Sequence, residues 1–255
     1  MGNINATKPF SLEELIELNE NIVIKNIWYS RLIRALFKIL KILSFSKIEY
    51  QRIDIKNPIC WEKFPKSTNY FINGYIQNIK YFDKYINKIV NQFNIKKKLD
   101  KKIRIGIHVR KGDQKNGPID FCNRDYYSHA INKIIHKKKL NLKEIQLVIF
   151  CEELAWPKKN IKNNKLDLKF VIGNDQSAIK DLKLMMNCDH LVISNSAYSW
   201  WAAAYISIKK KASIVVCPDL WWDRINVLNI NIYPKNWIIV KTGIEENKKP
   251  QYLSS

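Results

Sequence analysis

His108, Arg110, Lys111 and Asp113 fall within six residues at the end of the run Ile103-Arg104-Ile105-Gly106-Ile107-His108-Val109-Arg110-Lys111-Gly112-Asp113. The chemistry they offer is anion recognition. An arginine presents a rigid fork of donors that matches a phosphate bidentately, a lysine adds a point charge, and a glycine lets backbone approach the ligand. A diphosphate is the natural guest, although a basic turn solvated at the surface of a basic protein accounts for the same charges. Asp113 offers a carboxylate beside that site. It is the nominal general base for a hydroxyl attacking near the phosphates, and it serves equally as a brace for Arg110 or a cap for the turn.

The position of these groups follows from the residues before them. Ile103, Ile105, Ile107 and Val109 alternate with Arg104, Gly106 and His108, the two-residue period of a strand with one buried face, and Lys111-Gly112-Asp113 ends it. The polar group therefore gathers at a strand's carboxyl end, the edge where open α/β sheets bind ligands. The order beyond it is regular, with helices expected over 126–138, 178–186 and 197–208 and strands over 146–151, 168–172, 191–194 and 214–217. This alternation predicts an α/β fold with a doubly wound parallel, Rossmann-like sheet.

Two further groups fall at strand ends in that scheme. Glu152 and Glu153 follow the 146–151 strand, where carboxylates accept hydrogen bonds from the ring and amino N–H groups of guanine. Asn195, Ser196 and Ser199 lie where a strand passes into a helix. Hydroxyls beside the unpaired N–H groups of a helix start form an anion cradle, and by themselves they are also ordinary helix caps. Trp200 and Trp201 read as helix core.

The first hundred residues are less regular. Ser11-Leu12-Glu13-Glu14 is a capping box, opening a short helix to about residue 19. Residues 25–45 carry apolar side chains at helical spacing with Arg31, Arg34, Lys38 and Lys41 between them, too charged to span a membrane. That segment packs on the domain or lies on an anionic bilayer. No clear period marks 46–69; a strand follows over 70–75 and a helix over 79–93. The run Lys96-Lys97-Lys98-Leu99-Asp100-Lys101-Lys102 is a solvated linker without the interleaved aromatics of a nucleic-acid surface, so no nucleic acid is expected as a partner. The resulting division is an incomplete amino-terminal region over 1–100, a nucleotide-binding domain over 101–242 and a tail over 243–255.

Composition constrains less than it first promises. At 255 residues and 46% hydrophobic the chain can bury a proper core, and 44 basic against 23 acidic residues give a formal charge of +21. The excess is mostly lysine, accompanied by much asparagine and isoleucine, a bias that an AT-rich genome alone produces. Cys60, Cys122, Cys151, Cys188 and Cys217 are widely spaced without a Cys-x-x-Cys pair, and the four histidines show no ligand spacing. Reduced thiols and a start without a secretory pattern point to a cytoplasmic protein, peripheral at the inner face of the membrane if residues 25–45 lie on it.

The peptide His108-Val109-Arg110-Lys111-Gly112-Asp113 resembles the His-x-Arg-Arg-x-Asp peptide of the α-1,2-fucosyltransferase family, with lysine at the second arginine. Tyr70 to Asn78 is similar to that family's Gly-Tyr-Trp-Gln-Ser segment. Val148 to Trp156 is similar to its Phe-Ser-Asp-Asp-x-x-Trp, with cysteine for serine and glutamate for both aspartates. The run Asp181 to Trp201 is close to its Asn-Ser-(Ser/Thr)-Phe-Ser-Trp-Trp signature. The resemblance implies a GT-B-like double Rossmann architecture, GDP-fucose as donor and a galactose 2-hydroxyl of a glycan as acceptor. It further implies an inverting reaction that requires no metal or other cofactor, in keeping with the lack of an Asp-x-Asp pair. His108, Arg110, Lys111, Glu152, Glu153, Asn195, Ser196 and Ser199 are the implied donor-binding residues. The family's Gly-Gly-Leu-Gly-Asn-Gln loop has no counterpart, so a truncated or divergent amino-terminal domain is expected. Two other readings stay open: a GDP-sugar-binding remnant without catalysis, and a basic α/β protein that binds membrane surfaces or nucleic acid.

Overall fold

The computed structural model describes residues 48–52, 69–73, 79, 83–96, 102–111, 120–161, 166–173, 178–221 and 225–243. Strands β1 (Ile48–Arg52) and β2 (Asn69–Asn73) form a small parallel pair of their own. The main sheet has six strands: β3 (Ile103–Val109), β4 (Ile145–Cys151), β5 (Asp167–Ile172), β6 (His190–Val192), β7 (Val215–Pro218) and β8 (Ile238–Val240). Every neighbouring pair in it is parallel, and the spatial order is β5-β4-β3-β6-β7-β8. Counted in chain order within this sheet, that is 3-2-1-4-5-6, the order of a Rossmann sheet. The expected doubly wound α/β fold is present, with the turning point of the strand order between β3 and β6.

Helices cover both faces. On one lies α2 (Arg124–Lys138), packed on Ile105, Ile107 and Val109 of β3 and Ile145, Leu147 and Ile149 of β4. On the other lie α4 (Ala178–Asn187) and α5 (Ala197–Lys209), packed on Val148, Phe150, Leu191 and Ile193. This double cover corrects the expectation of a single buried face for β3, since a central parallel strand is enclosed on both sides. Even Arg104 and His108 are buried, and Arg104 is accommodated by donating from Nη2 to the Asn187 carbonyl at 2.8 Å. Gly106 faces the α4 side so closely that an added Cβ would lie 2.5 Å from Leu191 Cδ2 and 2.9 Å from Cys188 Sγ.

The segment before β3 joins the same core. Ile79 donates its N–H to the Asn231 carbonyl at 2.9 Å, and Val90 and Phe93 are buried, with Phe93 6.2 Å from the ring centres of both Trp201 and Tyr205. Helix α1 (Ile86–Asn91) lies within the expected 79–93 span, preceded by a turn over Asp83–Tyr85, and residues 80–82 lie outside the described residues. Strand β6 is likewise shorter than expected, as the chain leaves the β3 ladder after Val192. Strands β1 and β8 and the short helix α3 (Ala155–Asn160) are not among the elements expected from the sequence.

Cys122, Cys151, Cys188 and Cys217 are buried, as expected, and none of these four is in a disulfide among the described residues. The capping box at Ser11, the amphipathic stretch 25–45, Cys60, most of the Lys96–Lys102 run, Asp113 and the tail from 244 lie outside the described residues. Among the described residues no helix is long and apolar enough to cross a membrane.

Candidate functional site

At the turning point the sheet opens. The β3–β4 ladder runs to Val109↔Cys151, whereas the β3–β6 ladder stops at Ile107↔Val192. A crevice of about 440 Å³ lies over this edge on the α4–α5 side, within the size range of small-molecule sites. His108, Arg110, Glu152, Asp181, Ser196 and Tyr198 supply its polar lining, and Phe150, Val171 and Met185 contribute apolar walls.

The cationic end of the crevice is built by two elements. Arg110 follows β3 directly, and its Nη1 donates to Ser196 Oγ at 3.2 Å. Ser196 is the N-cap residue of α5, yet its side chain makes no capping hydrogen bond, because its hydroxyl faces Arg110 instead. The first intrahelical bond runs from Trp200 N to Ser196 O at 3.0 Å, so the N–H groups of Ala197, Tyr198 and Ser199 precede the intrahelical ladder. A guanidinium beside the positive end of a 13-residue helix is a strong oxyanion site.

The sequence-derived residues separate into two groups. Arg110, Ser196, His108 and Glu152 meet in the crevice. Lys111 does not line it: the ammonium is buried, paired with Asp120 and held 4.4 Å above the Trp156 ring. Ser199 is fully buried, and its Oγ donates back to the Ser196 carbonyl at 3.3 Å. Asn195 accepts from Cys122 Sγ at 3.7 Å on the α2 side, and Glu153 is not among the lining residues. Asp181 and Tyr198 are site residues that sequence reasoning passed over. Both lie inside the Asp181–Trp201 run that carried the resemblance, and Asp181, in the first turn of α4, reads from sequence as a solvated helix-start acid. It is buried instead, close enough to Gly173 that an added Cβ there would lie 3.2 Å from Asp181 Oδ2.

His108 is buried and neutral. Desolvation, reinforced by the Arg110 charge, holds its pKa down at about 3, and its Nδ1 lies 2.9 Å from Ser194 Oγ. Burial similarly lowers His190 to about 4, with Nδ1 accepting from Ile214 N at 2.9 Å. Both values lie below the 6.5 of an unfolded histidine, so as pH falls from 6.5 towards 3 or 4 the unfolded chain takes up protons that the folded chain refuses. Folding stability contributed by these two groups is therefore fully present above about pH 6.5 and is lost on acidification, each group steepening the slope by up to about 1.4 kcal/mol per pH unit. Urea unfolding at a series of pH values checks this, and a His190→Gln variant with an unchanged acid limb would contradict it.

The chain was compared with known proteins. It is 27% identical over 186 residues to an alpha-1,2-colitosyltransferase of Escherichia coli, covering 66% of this chain and 61% of that protein. It is 29% identical over 140 residues to the O-antigen biosynthesis glycosyltransferase WbnK of Escherichia coli, covering 52% and 43%. A galactoside 2-alpha-L-fucosyltransferase Sec1 of Mus musculus is 29% identical over 105 residues, 39% of this chain and 27% of the relative. The chain thus spans less than two thirds of the length of each of these relatives. The sequence pattern of Glycosyl transferase family 11 matches residues 5–241, nearly the whole of the chain, and the chain belongs to that family.

Proposed function

We propose that the crevice binds a GDP-sugar and that the protein transfers L-fucose, or a closely related deoxy sugar, from it to the 2-hydroxyl of a galactose in a surface glycan. The observation that carries this reading is the contact between Arg110 and Ser196 at the turning point of the sheet, which aims a guanidinium and a helix amino end at one spot. The enzymatic relatives named above support the reaction class. In this scheme Arg110 and the α5 amino end hold the diphosphate and neutralise its charge as it leaves, which favours departure without a metal ion. Phe150, Val171 and Met185 flank the base, and Asp181 with Glu152 accepts the ring and amino N–H donors of guanine. The acceptor hydroxyl attacks the anomeric carbon from the face opposite the departing GDP, inverting that centre. Asp113 remains the proposed base. Cytoplasmic placement with peripheral contact to an anionic membrane belongs to the same proposal, resting on residues 25–45.

Calorimetry with GDP, ADP and UDP tests the binding step, and release and transfer of radiolabelled fucose from GDP-fucose test the reaction. GDP preference with product formation is the expected outcome. GDP binding without product would favour the binding remnant instead, and salt-sensitive binding to liposomes or nucleic acid without GDP affinity would favour the third reading. An Asp181→Asn variant should bind GDP roughly 10- to 150-fold more weakly and lose most of its preference over ADP, since a charge-assisted pair of contacts to the base is removed. An unaltered GDP-to-ADP ratio would remove Asp181 from base recognition.

A further inference from the structure

The crevice lies beside the point where β3 and β6 part company, and parting has a physical cost. Beyond Ile107↔Val192 the β3–β6 ladder ends: the His108 carbonyl loses a ladder partner on that side, while the Ile193 N–H pairs with the Val216 carbonyl of β7 at 2.9 Å, so the two strand ends no longer hold each other directly. Two neighbouring side chains of α2 reach the two backbones just past the split, from the face of the sheet opposite the cavity. Tyr127 donates its hydroxyl to the His108 carbonyl at 3.1 Å, at the end of β3. Tyr126 donates to the carbonyl of Ile193, one residue past β6. Both side chains are essentially inaccessible, their rings meet edge to face at 5.1 Å, and Tyr127 packs in turn on Trp156 at 5.8 Å. Each tyrosine therefore grips one bank of the crevice two or three residues from the group that faces the ligand: His108 precedes Arg110, and Ile193 precedes Ser196.

We infer that Tyr126 and Tyr127 are positioning residues, a paired brace on one rigid helix that sets the separation of the β3 and β6 ends and so keeps Arg110 and Ser196 in register for a diphosphate. Burial raises both phenols well above their usual range, so they remain donors at any working pH. The inference rests on the proposed nucleotide site. It goes beyond that site because neither tyrosine lines the cavity.

The test compares Tyr126→Phe and Tyr127→Phe, each of which removes a single oxygen and keeps the ring. Tyr233→Phe is the control, because Tyr233 carries a buried hydroxyl without a hydrogen-bond partner among the described residues. Below the unfolding range of each variant, the two brace variants should bind GDP roughly tenfold more weakly. Their ratio of GDP to ADP affinity should stay at the wild-type value, because the phosphate end moves and the base walls do not. Without ligand, hydrogen exchange should quicken over 108–111 in Tyr127→Phe and over 193–199 in Tyr126→Phe. The Tyr233→Phe control should change none of these. Wild-type GDP affinity in both brace variants overturns the brace, as does loss of affinity with a collapsed base preference. If wild-type protein fails to bind GDP, the nucleotide reading falls, and exchange in the two segments decides the brace alone. The single variants are read separately. Failure of both to fold also overturns the inference, since it assigns the hydroxyls to the fold rather than to the spacing of the site.

Discussion

Replacement of Arg110 by alanine is expected to weaken GDP about 30- to 150-fold, the equivalent of roughly 2 to 3 kcal/mol for a charge-assisted contact. The expectation is this large because Arg110 carries the full positive charge among the described residues that line the crevice, Lys111 having its ammonium on Asp120 and Trp156. Arg110→Lys should restore only part of the affinity, since an ammonium cannot present two parallel N–H donors to one phosphate. Ser196→Ala should cost less than the arginine variant. The serine hydroxyl orients the guanidinium at 3.2 Å, whereas the helix amino end stays in place without it. Isothermal titration with GDP gives all three values at once, and an Arg110→Ala protein that binds GDP as tightly as wild type would sink the nucleotide site.

Gly106→Val should be the most damaging single change in the centre of the sheet. A Cβ alone would approach Leu191 Cδ2 to 2.5 Å and Cys188 Sγ to 2.9 Å, and valine adds two methyl groups beyond it. Leu191 and Cys188 are buried, so neither can swing clear into solvent. Overpacking of this kind costs about 1–3 kcal/mol and at times more, visible as a lowered urea midpoint with an unchanged slope. Gly106→Ala should cost less, and shortening Leu191 to alanine in the Gly106→Val background should recover part of the loss, a non-additivity expected of touching residues. Additive losses would mean that the two residues do not compete for this space.

Much of the fold was legible because period and burial agree. The isoleucine alternation over 103–109 and the apolar run of β4 announce their strands, and the strand-helix rhythm after them yields the doubly wound sheet. The site was legible to the level of the segment, less so to the side chain. Neighbouring residues at a strand end point to opposite faces, so His108 and Arg110 reach the cavity while Val109 and Lys111 turn to the α2 side. Parity could have separated the two cations, but charge drew the reading to both. Along α5 the difficulty was of another kind: Ser196 and Ser199 look alike in sequence, and only the fold decides which hydroxyl meets Arg110 and which returns to the helix backbone. Asp181 escaped because a carboxylate in a first helical turn is ordinarily solvated, and only the approach of β5's end and α5 encloses it.

The fate of Lys111 has a bearing on how this position can vary. Its ammonium sits between the Asp120 carboxylate and the indole of Trp156, and so it fastens one end of the 112–119 connection to the other. Whether lysine or arginine suits that spot is thus a matter of interior fit, set by the acid and the aromatic ring rather than by the crevice, which Lys111 does not line.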